Sequence, residues 1–214
     1  MNHELIKRLL TSIIVAFLTF FFIFQGGFIF DIFLLCLLFI SFYEWFNLQP
    51  KKLTLFLGYT FLIVCFLSAY ILRNESFNYF LLIIIISISS DIGGFIFGKI
   101  IKGPKLTKIS PNKTYAGAFG SFLLSIICSV IYKHYFDSSI NNFFNVFSIN
   151  FFVFIFIIST INQIGDLIIS YFKRLKNIDN TGTLLPGHGG LLDRIDGMIF
   201  AFIFYYIFNL FYEI

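Results

Sequence analysis

Charge is scarce in this chain. Only 12% of its 214 residues are Asp, Glu, Lys or Arg, whereas 58% are hydrophobic and 34 are phenylalanine. That balance excludes a water-soluble domain, which cannot hide so much apolar surface, and makes lipid the solvent for most of the chain. Cysteine is sparse as well. Cys36, Cys65 and Cys128 lie within apolar runs and show no paired spacing, which excludes a disulfide framework or a thiolate metal cage and leaves small packing residues. No small-x-small cleavage site follows the basic start; the first apolar block runs into Gln25-Gly26-Gly27, so an uncleaved anchor is expected in place of a signal peptide. No repeat or low-complexity linker is present, and a single membrane domain over 1–214 is the simplest organisation.

What the chain does have is a series of long apolar blocks. Seven spanning helices are predicted at roughly 9–24, 28–46, 53–72, 77–98, 114–132, 143–165 and 197–213. The expected fold is an all-α, polytopic integral membrane helical bundle with its N-terminus in the cytoplasm. In that orientation the cytoplasmic side holds Lys7, Arg8, Lys51, Lys52, Lys99, Lys102, Lys105, Lys108, Lys113, Lys173, Arg174, Lys176 and Arg194. Of the 15 basic residues only Arg73 and Lys133 fall elsewhere, as the positive-inside rule requires. The net charge of +4 points to anionic headgroups or phosphates as partners, not to nucleic acid.

Two cytoplasmic segments, 99–113 and 166–196, carry the residues able to do chemistry. Glycines 182, 187, 189 and 190 with Pro186 rule out a continuous helix there and let backbone approach a ligand closely. Asp193 and Asp196 follow at a spacing of three, on one face if Leu191 opens the next helix. Upstream, Asp166, Ser170, Lys173 and Asn177 form one polar stripe on a helix leaving the membrane. Asp91 is expected on the order of 10 Å inside the membrane from Lys99, given the helical rise; an ionised carboxylate at that depth costs a few kcal/mol unless paired or hydrated, which marks it as a site residue. Gly93 and Gly94 beside it suit close helix packing. Ser110-Pro111 is expected to cap the fifth helix, with free N–H groups there for an anion and Lys113 in the same turn. Glu44, between Tyr43 and Trp45, has two readings of equal weight: an interfacial aromatic belt, or a carboxylate facing the interior that orients a basic residue.

These residues resemble a known family. Ser170-x-Phe172-Lys173-Arg174 followed by Pro186-Gly187-His188-Gly189-Gly190-Leu191-x-Asp193-Arg194-Ile195-Asp196 is similar to the signature of the phosphatidate cytidylyltransferases (CDP-diacylglycerol synthases). Ser90-Asp91-x-Gly93-Gly94, Ser110-Pro111-x-Lys113-Thr114-x-x-Gly117, Gly165-Asp166-Leu167 and Glu44-Trp45 agree with it. Three places depart: Tyr115-Ala116 stand where the family has Trp-Glu, Asp179-Asn180 where it has Lys-Asp, and Ile169 where it has Glu.

The resemblance implies transfer of the cytidylyl group of CTP to phosphatidate, giving CDP-diacylglycerol and pyrophosphate, in a bacterial-type cytoplasmic (inner) membrane with the active site facing the cytoplasm. It implies Asp166, Asp193, Asp196 and Lys173 as catalytic residues. Asp166, Asp193, Asp196 and Asp91 are the implied ligands of Mg²⁺. Ser110, Lys113, Ser170, Arg174, His188, Gly189, Gly190 and Arg194 are the implied contacts to CTP and phosphatidate. A homodimer is compatible with this reading and not demanded by it. The alternatives are a catalytically impaired relative, suggested by Ala116 and Asn180, and a small membrane transporter built around Asp91.

Overall fold

The computed structural model describes residues 2–48, 51–107, 110, 113–136, 148–184 and 189–212, with side chains over 11 and 13–211 of these. Among the described residues there are seven helices and no strand: α1 (Asn2–Gln25), α2 (Gly27–Leu48), α3 (Lys52–Glu75), α4 (Phe77–Ile101), α5 (Tyr115–Phe136), α6 (Ile149–Leu175) and α7 (Leu192–Tyr212). All but α1 are long and apolar enough to cross a membrane; in α1 the apolar helical stretch is the shorter Ile13–Gln25. The fold is that of an all-α, polytopic integral membrane protein, as the apolar blocks predict. Large side chains such as Phe28, Phe39, Phe56, Phe95 and Phe119 stay exposed, which in lipid carries no penalty. The cysteines are free thiols, Cys65 buried and Cys36 exposed.

Two helix ends matter for chemistry, and the first is the expected helical continuation past 165. Helix α6 continues ten residues beyond 165, because 166–175 contains no glycine or proline to stop it. It ends at a left-handed residue, Asn177 (φ 56°), with the Ile178 amide donating to the Lys173 carbonyl and the Asn177 amide to the Arg174 carbonyl, both at 3.1 Å. That is a Schellman closure. Asn177 therefore ends the helix and does not extend its polar stripe. Helix α7 begins at Leu192, one residue from the expected Leu191, so Asp193 stands in its first turn.

The chain divides into two compact units. The first comprises Met1–Phe66 and Phe172–Ile195. Gly26 and Gly27, at φ 64° and 54°, turn the chain between α1 and α2, and the Phe22 and Phe33 rings stack across that turn with centroids 4.7 Å apart. Trp45 of α2 lies against Gly58 of α3, where a Cβ would overlap the indole. Its ring meets Phe172 edge-on at 5.0 Å. Trp45 thereby turns the C-terminal end of α2, and Glu44 with it, inward.

The second unit comprises Leu67–Tyr171 and Asp196–Ile214. Here α4 and α5 pack backbone to backbone through Gly93 against Gly120 and Gly94 against Gly117. Hydroxyls fasten the same seam: Ser121 Oγ donates to the Ser90 carbonyl at 2.7 Å and Ser125 Oγ to that of Ile86 at 3.2 Å. Small residues with interhelical hydrogen bonds are how helices associate where lipid removes the hydrophobic drive. The packing role expected of Gly93 and Gly94 is thus seen directly. On the other side of α4, Phe80 stacks on Phe202 and Tyr79 on Tyr205 of α7, closing a core of Ile83, Ile86, Ile155, Ile158 and Ala201.

Candidate active site

In the first unit the site is built around two carboxylates that clasp the opening of α7. Glu44, 2% exposed, accepts the Leu191 amide at Oε1 and the Leu192 amide at Oε2, each at 2.8 Å. Its Oε2 also receives the Thr181 hydroxyl at 2.8 Å. A buried carboxylate is stable only when its lone pairs are filled, and here two donors are the orphan N–H groups of a helix start, where the macrodipole favours negative charge. The interior reading of Glu44 is therefore the right one of the two. What it orients is a loop and a helix start; the partner is not a basic side chain.

Asp193 supplies the second clasp. Its Oδ2 accepts the Thr181 amide at 2.8 Å, the Gly190 amide at 3.0 Å and the Thr181 hydroxyl at 3.1 Å. The bond from Gly190, three residues back, is the returning half of a capping box. Its Oδ1 takes Lys173 Nζ at 2.7 Å, with only 12% and 7% of the two side chains exposed. The glycines follow from this. A Cβ on Gly182 would stand 2.7 Å from Glu44 Oε1, one on Gly190 would stand 2.6 Å from Glu44 Oε2, and one on Gly189 (φ 87°) would stand 2.9 Å from Asp193 Oδ2. The close approach expected of the glycine-rich loop is made, in the first instance, to the protein's own carboxylates. Arg174 pairs with Asp179 at 2.7 Å in the open, Lys176 donates to the Asn47 carbonyl, and Arg194 is exposed. His188 lies outside the described residues.

In the second unit Lys113 Nζ meets Asp166 Oδ2 at 2.6 Å, with 22% and 30% of the side chains exposed, and donates to the Gln163 carbonyl at 3.3 Å. Ser170 Oγ reaches the other Asp166 oxygen at 3.2 Å. Asp91 accepts the Asn162 amide group at 2.8 Å. Asn162 is fully buried, and its Oδ1 has no hydrogen-bond partner among the described residues. Gly197 packs onto this asparagine so tightly that a Cβ would stand 2.5 Å from its carbonyl oxygen. Asp196 is buried and accepts the Gly197 amide at 2.8 Å.

One local expectation is corrected. Ser110 does not cap α5: the helix starts at Tyr115, and Thr114 Oγ1 accepts the Gly117 amide at 3.0 Å, the N-cap bond. Ser110 instead sits in a turn, its amide on Thr107 Oγ1 at 3.2 Å and its carbonyl taking the Lys113 amide at 3.1 Å. An antiparallel bridge joins Lys105 to Thr114. Pro111 lies outside the described residues. The anion that offsets Lys113 near the start of α5 is Asp166.

Within each unit, then, expected site residues meet: Lys173, Asp193 and Gly190 in the first, Lys113, Asp166 and Ser170 in the second. Asp91, Asp166 and Asp196 belong to the second unit and Asp193 to the first. Three contributors were not among the candidates: Glu44 as a clasp, Thr181 and Asn162. A lone carboxylate or carboxamide inside a strongly apolar helix was the available signal for Glu44 and Asn162; Thr181 carried none.

Among the described residues no three of His, Cys, Asp and Glu gather into a ready metal cage. Mg²⁺ does not require one, since it keeps waters and takes phosphate oxygens beside one or two carboxylates. Asp166 fits that use: it is a hard oxygen donor, partly exposed, with each oxygen engaged by a single side chain. Asp193, whose Oδ2 already accepts three donors, has capacity left chiefly at Oδ1.

Comparison with known proteins gives the same direction. The model of the cytidylyltransferase family matches residues 51–212. A phosphatidate cytidylyltransferase of Staphylococcus epidermidis is 36% identical over 137 residues, 64% of this chain and 50% of that protein. One from Rickettsia conorii is 34% identical over 160 residues, 73% of this chain and 70% of that protein. One from Staphylococcus aureus is 35% identical over 140 residues, with 64% and 50% covered. The matched stretch spans about half the length of the two staphylococcal relatives. The chain belongs to the cytidylyltransferase family.

Proposed function

We propose that this protein is a phosphatidate cytidylyltransferase acting at the cytoplasmic face of a bacterial-type inner membrane, within one catalytic membrane domain. The observation that carries the reading is the Lys173–Asp193 pair held in a lattice of loop amides: a cation of the family signature, aligned by a buried acid, beside a glycine-rich loop. In the reaction a phosphate oxygen of phosphatidate attacks the α-phosphorus of CTP in line. The new P–O bond replaces the one to the β-phosphate, and pyrophosphate leaves with that bond's electron pair. The nucleophile arrives ionised, so no general base is demanded.

The protein's task is to bring two polyanions together and offset their charge. Lys173, Arg174, Lys113 and Arg194 are proposed to bind the phosphates, with Ser110, Ser170, His188, Gly189 and Gly190 completing the contacts. Asp166 is the acid best suited to hold Mg²⁺, with Asp193, Asp196 and Asp91 as the further acids. The ion, when bound, supplies neutralisation of phosphate charge. Acyl chains would enter between helices from the bilayer while CTP comes from the cytoplasm. The orientation is supported by the one-sided distribution of lysine and arginine.

The test is direct. Purified protein in mixed micelles with phosphatidate, radiolabelled CTP and Mg²⁺ is expected to produce labelled CDP-diacylglycerol and pyrophosphate in equal amounts. No product under these conditions, from protein that is folded and monodisperse, would overturn the proposal.

A further inference from the structure

We infer that Glu44 and Thr181 form a positioning couple for the proposed reaction: a remote carboxylate on α2 that sets, through one hydroxyl, where Asp193 and Lys173 stand. The inference rests on the cytidylyltransferase reading and assigns a role to Thr181 and to Glu44, for which the resemblance implies none.

Thr181 Oγ1 lies 2.8 Å from Glu44 Oε2 and 3.1 Å from Asp193 Oδ2. A hydroxyl has one proton, so it satisfies one of these oxygens at a time and ties the two carboxylates to a common point. The Thr181 amide is bound to Asp193 Oδ2 at 2.8 Å as well, so the residue grips Asp193 by backbone and side chain together. Glu44 holds the other end of the construction through the Leu191 and Leu192 amides, which places the start of the helix on which Asp193 rides. Thr181 is buried, 4% exposed, and Glu44 more so. Neither is therefore a group that meets solvent or a passing nucleotide, and neither is a catalytic residue. Their effect reaches the chemistry by fixing the acid that holds Lys173.

The space around the couple supports this. Gly182 and Gly190 leave room for the Glu44 carboxylate and no more, and Trp45 against Gly58 and Phe172 fixes the helix turn that carries it. A rigid surround of this kind is what holds a charged group in one productive orientation.

The experiment compares Thr181→Ser, Thr181→Val, Glu44→Gln and the double variant Glu44→Gln/Thr181→Val with the active wild type, reading kcat and KM for CTP separately. Folding is followed by size exclusion in detergent and by fluorescence of Trp45, the single tryptophan. Thr181→Ser keeps the hydroxyl and is expected within ~2-fold of wild type, whereas misplacing the phosphate-binding cation by a fraction of an ångström in Thr181→Val and Glu44→Gln is expected to lower kcat roughly 30- to 100-fold. KM for CTP should move less than about 3-fold, because ground-state binding is not the step disturbed. The double variant should be no worse than the poorer single one, since both break one unit. Equal activity of Thr181→Val and wild type, a loss that falls in KM alone, or a double variant equal to the product of the singles would each overturn the inference. Should Glu44→Gln fail to fold, the Thr181 pair decides the matter alone. An inactive wild type would instead sink the cytidylyltransferase reading, so the two failures are distinct.

Discussion

Lys113 Nζ lies 2.6 Å from Asp166 Oδ2, joining the segment that leads into α5 to the C-terminal half of α6. A cation before a helix start is disfavoured by the macrodipole; the neighbouring carboxylate offsets it and leaves an ammonium held in place, a fifth of its side chain exposed. On the proposed reading this ammonium passes from the carboxylate to a substrate phosphate.

Replacing it should therefore hurt function more than folding. Lys113→Ala is expected to lower kcat/KM by on the order of 10²-fold, the value of one well-placed charge on a phosphoryl group. Thermal unfolding in detergent should show a stability change under about 1 kcal/mol, as is usual for a partly exposed pair. A large stability loss with kcat/KM intact would reverse the assignment.

Asp193→Asn should behave differently. The pair with Lys173 is largely screened from solvent, and removing one partner strands the other, so about 3 kcal/mol of stability should go. Turnover should drop below detection in the radiolabel assay, with membrane insertion retained. Adding Lys173→Met to Asp193→Asn should recover part of the stability and none of the activity. A double variant less stable than Asp193→Asn would show that the charge pair is not the source of the loss.

At the α4–α5 seam, Gly93→Ala puts a methyl group into the Gly120 carbonyl. Overpacking of this kind costs about 1–3 kcal/mol, readable as a lower unfolding midpoint. Thr114→Val removes the N-cap acceptor and should cost about 1 kcal/mol. The two effects should add, because they act at different contacts.

For the metal, chelation with EDTA is expected to abolish turnover and Mg²⁺ to restore it. In Asp166→Asn the Mg²⁺ concentration for half-maximal activity should rise by about 10-fold or more, in line with the loss of a liganding or orienting carboxylate. An unchanged Mg²⁺ dependence would remove Asp166 from the metal site while leaving its bond to Lys113 in place.

Hydropathy and local spacing were enough to read the helical fold, and the resemblance was enough to nominate Lys173 and Asp193 in the signature block and Asp166 and Lys113 in the pieces upstream of it. These features are legible because they are local: an apolar run of twenty residues has few fates, and glycines with acids at fixed offsets narrow the chemistry. The sequence left Glu44 evenly divided between two readings and pointed to Ser110 as the cap of α5. In both cases the neighbouring residues allow either answer. It also marked the glycines for a ligand, when Gly182 and Gly190 first make room for Glu44.

Only tertiary structure decided the roles of Glu44 and Asn162, because their partners are distant in the chain. Glu44 meets Leu191 across 147 positions, and Asn162 meets Asp91 across 71. A buried polar atom takes its stability from whichever donor packing delivers to it. That delivery is a property of how helices pack, and no local pattern of residues encodes it.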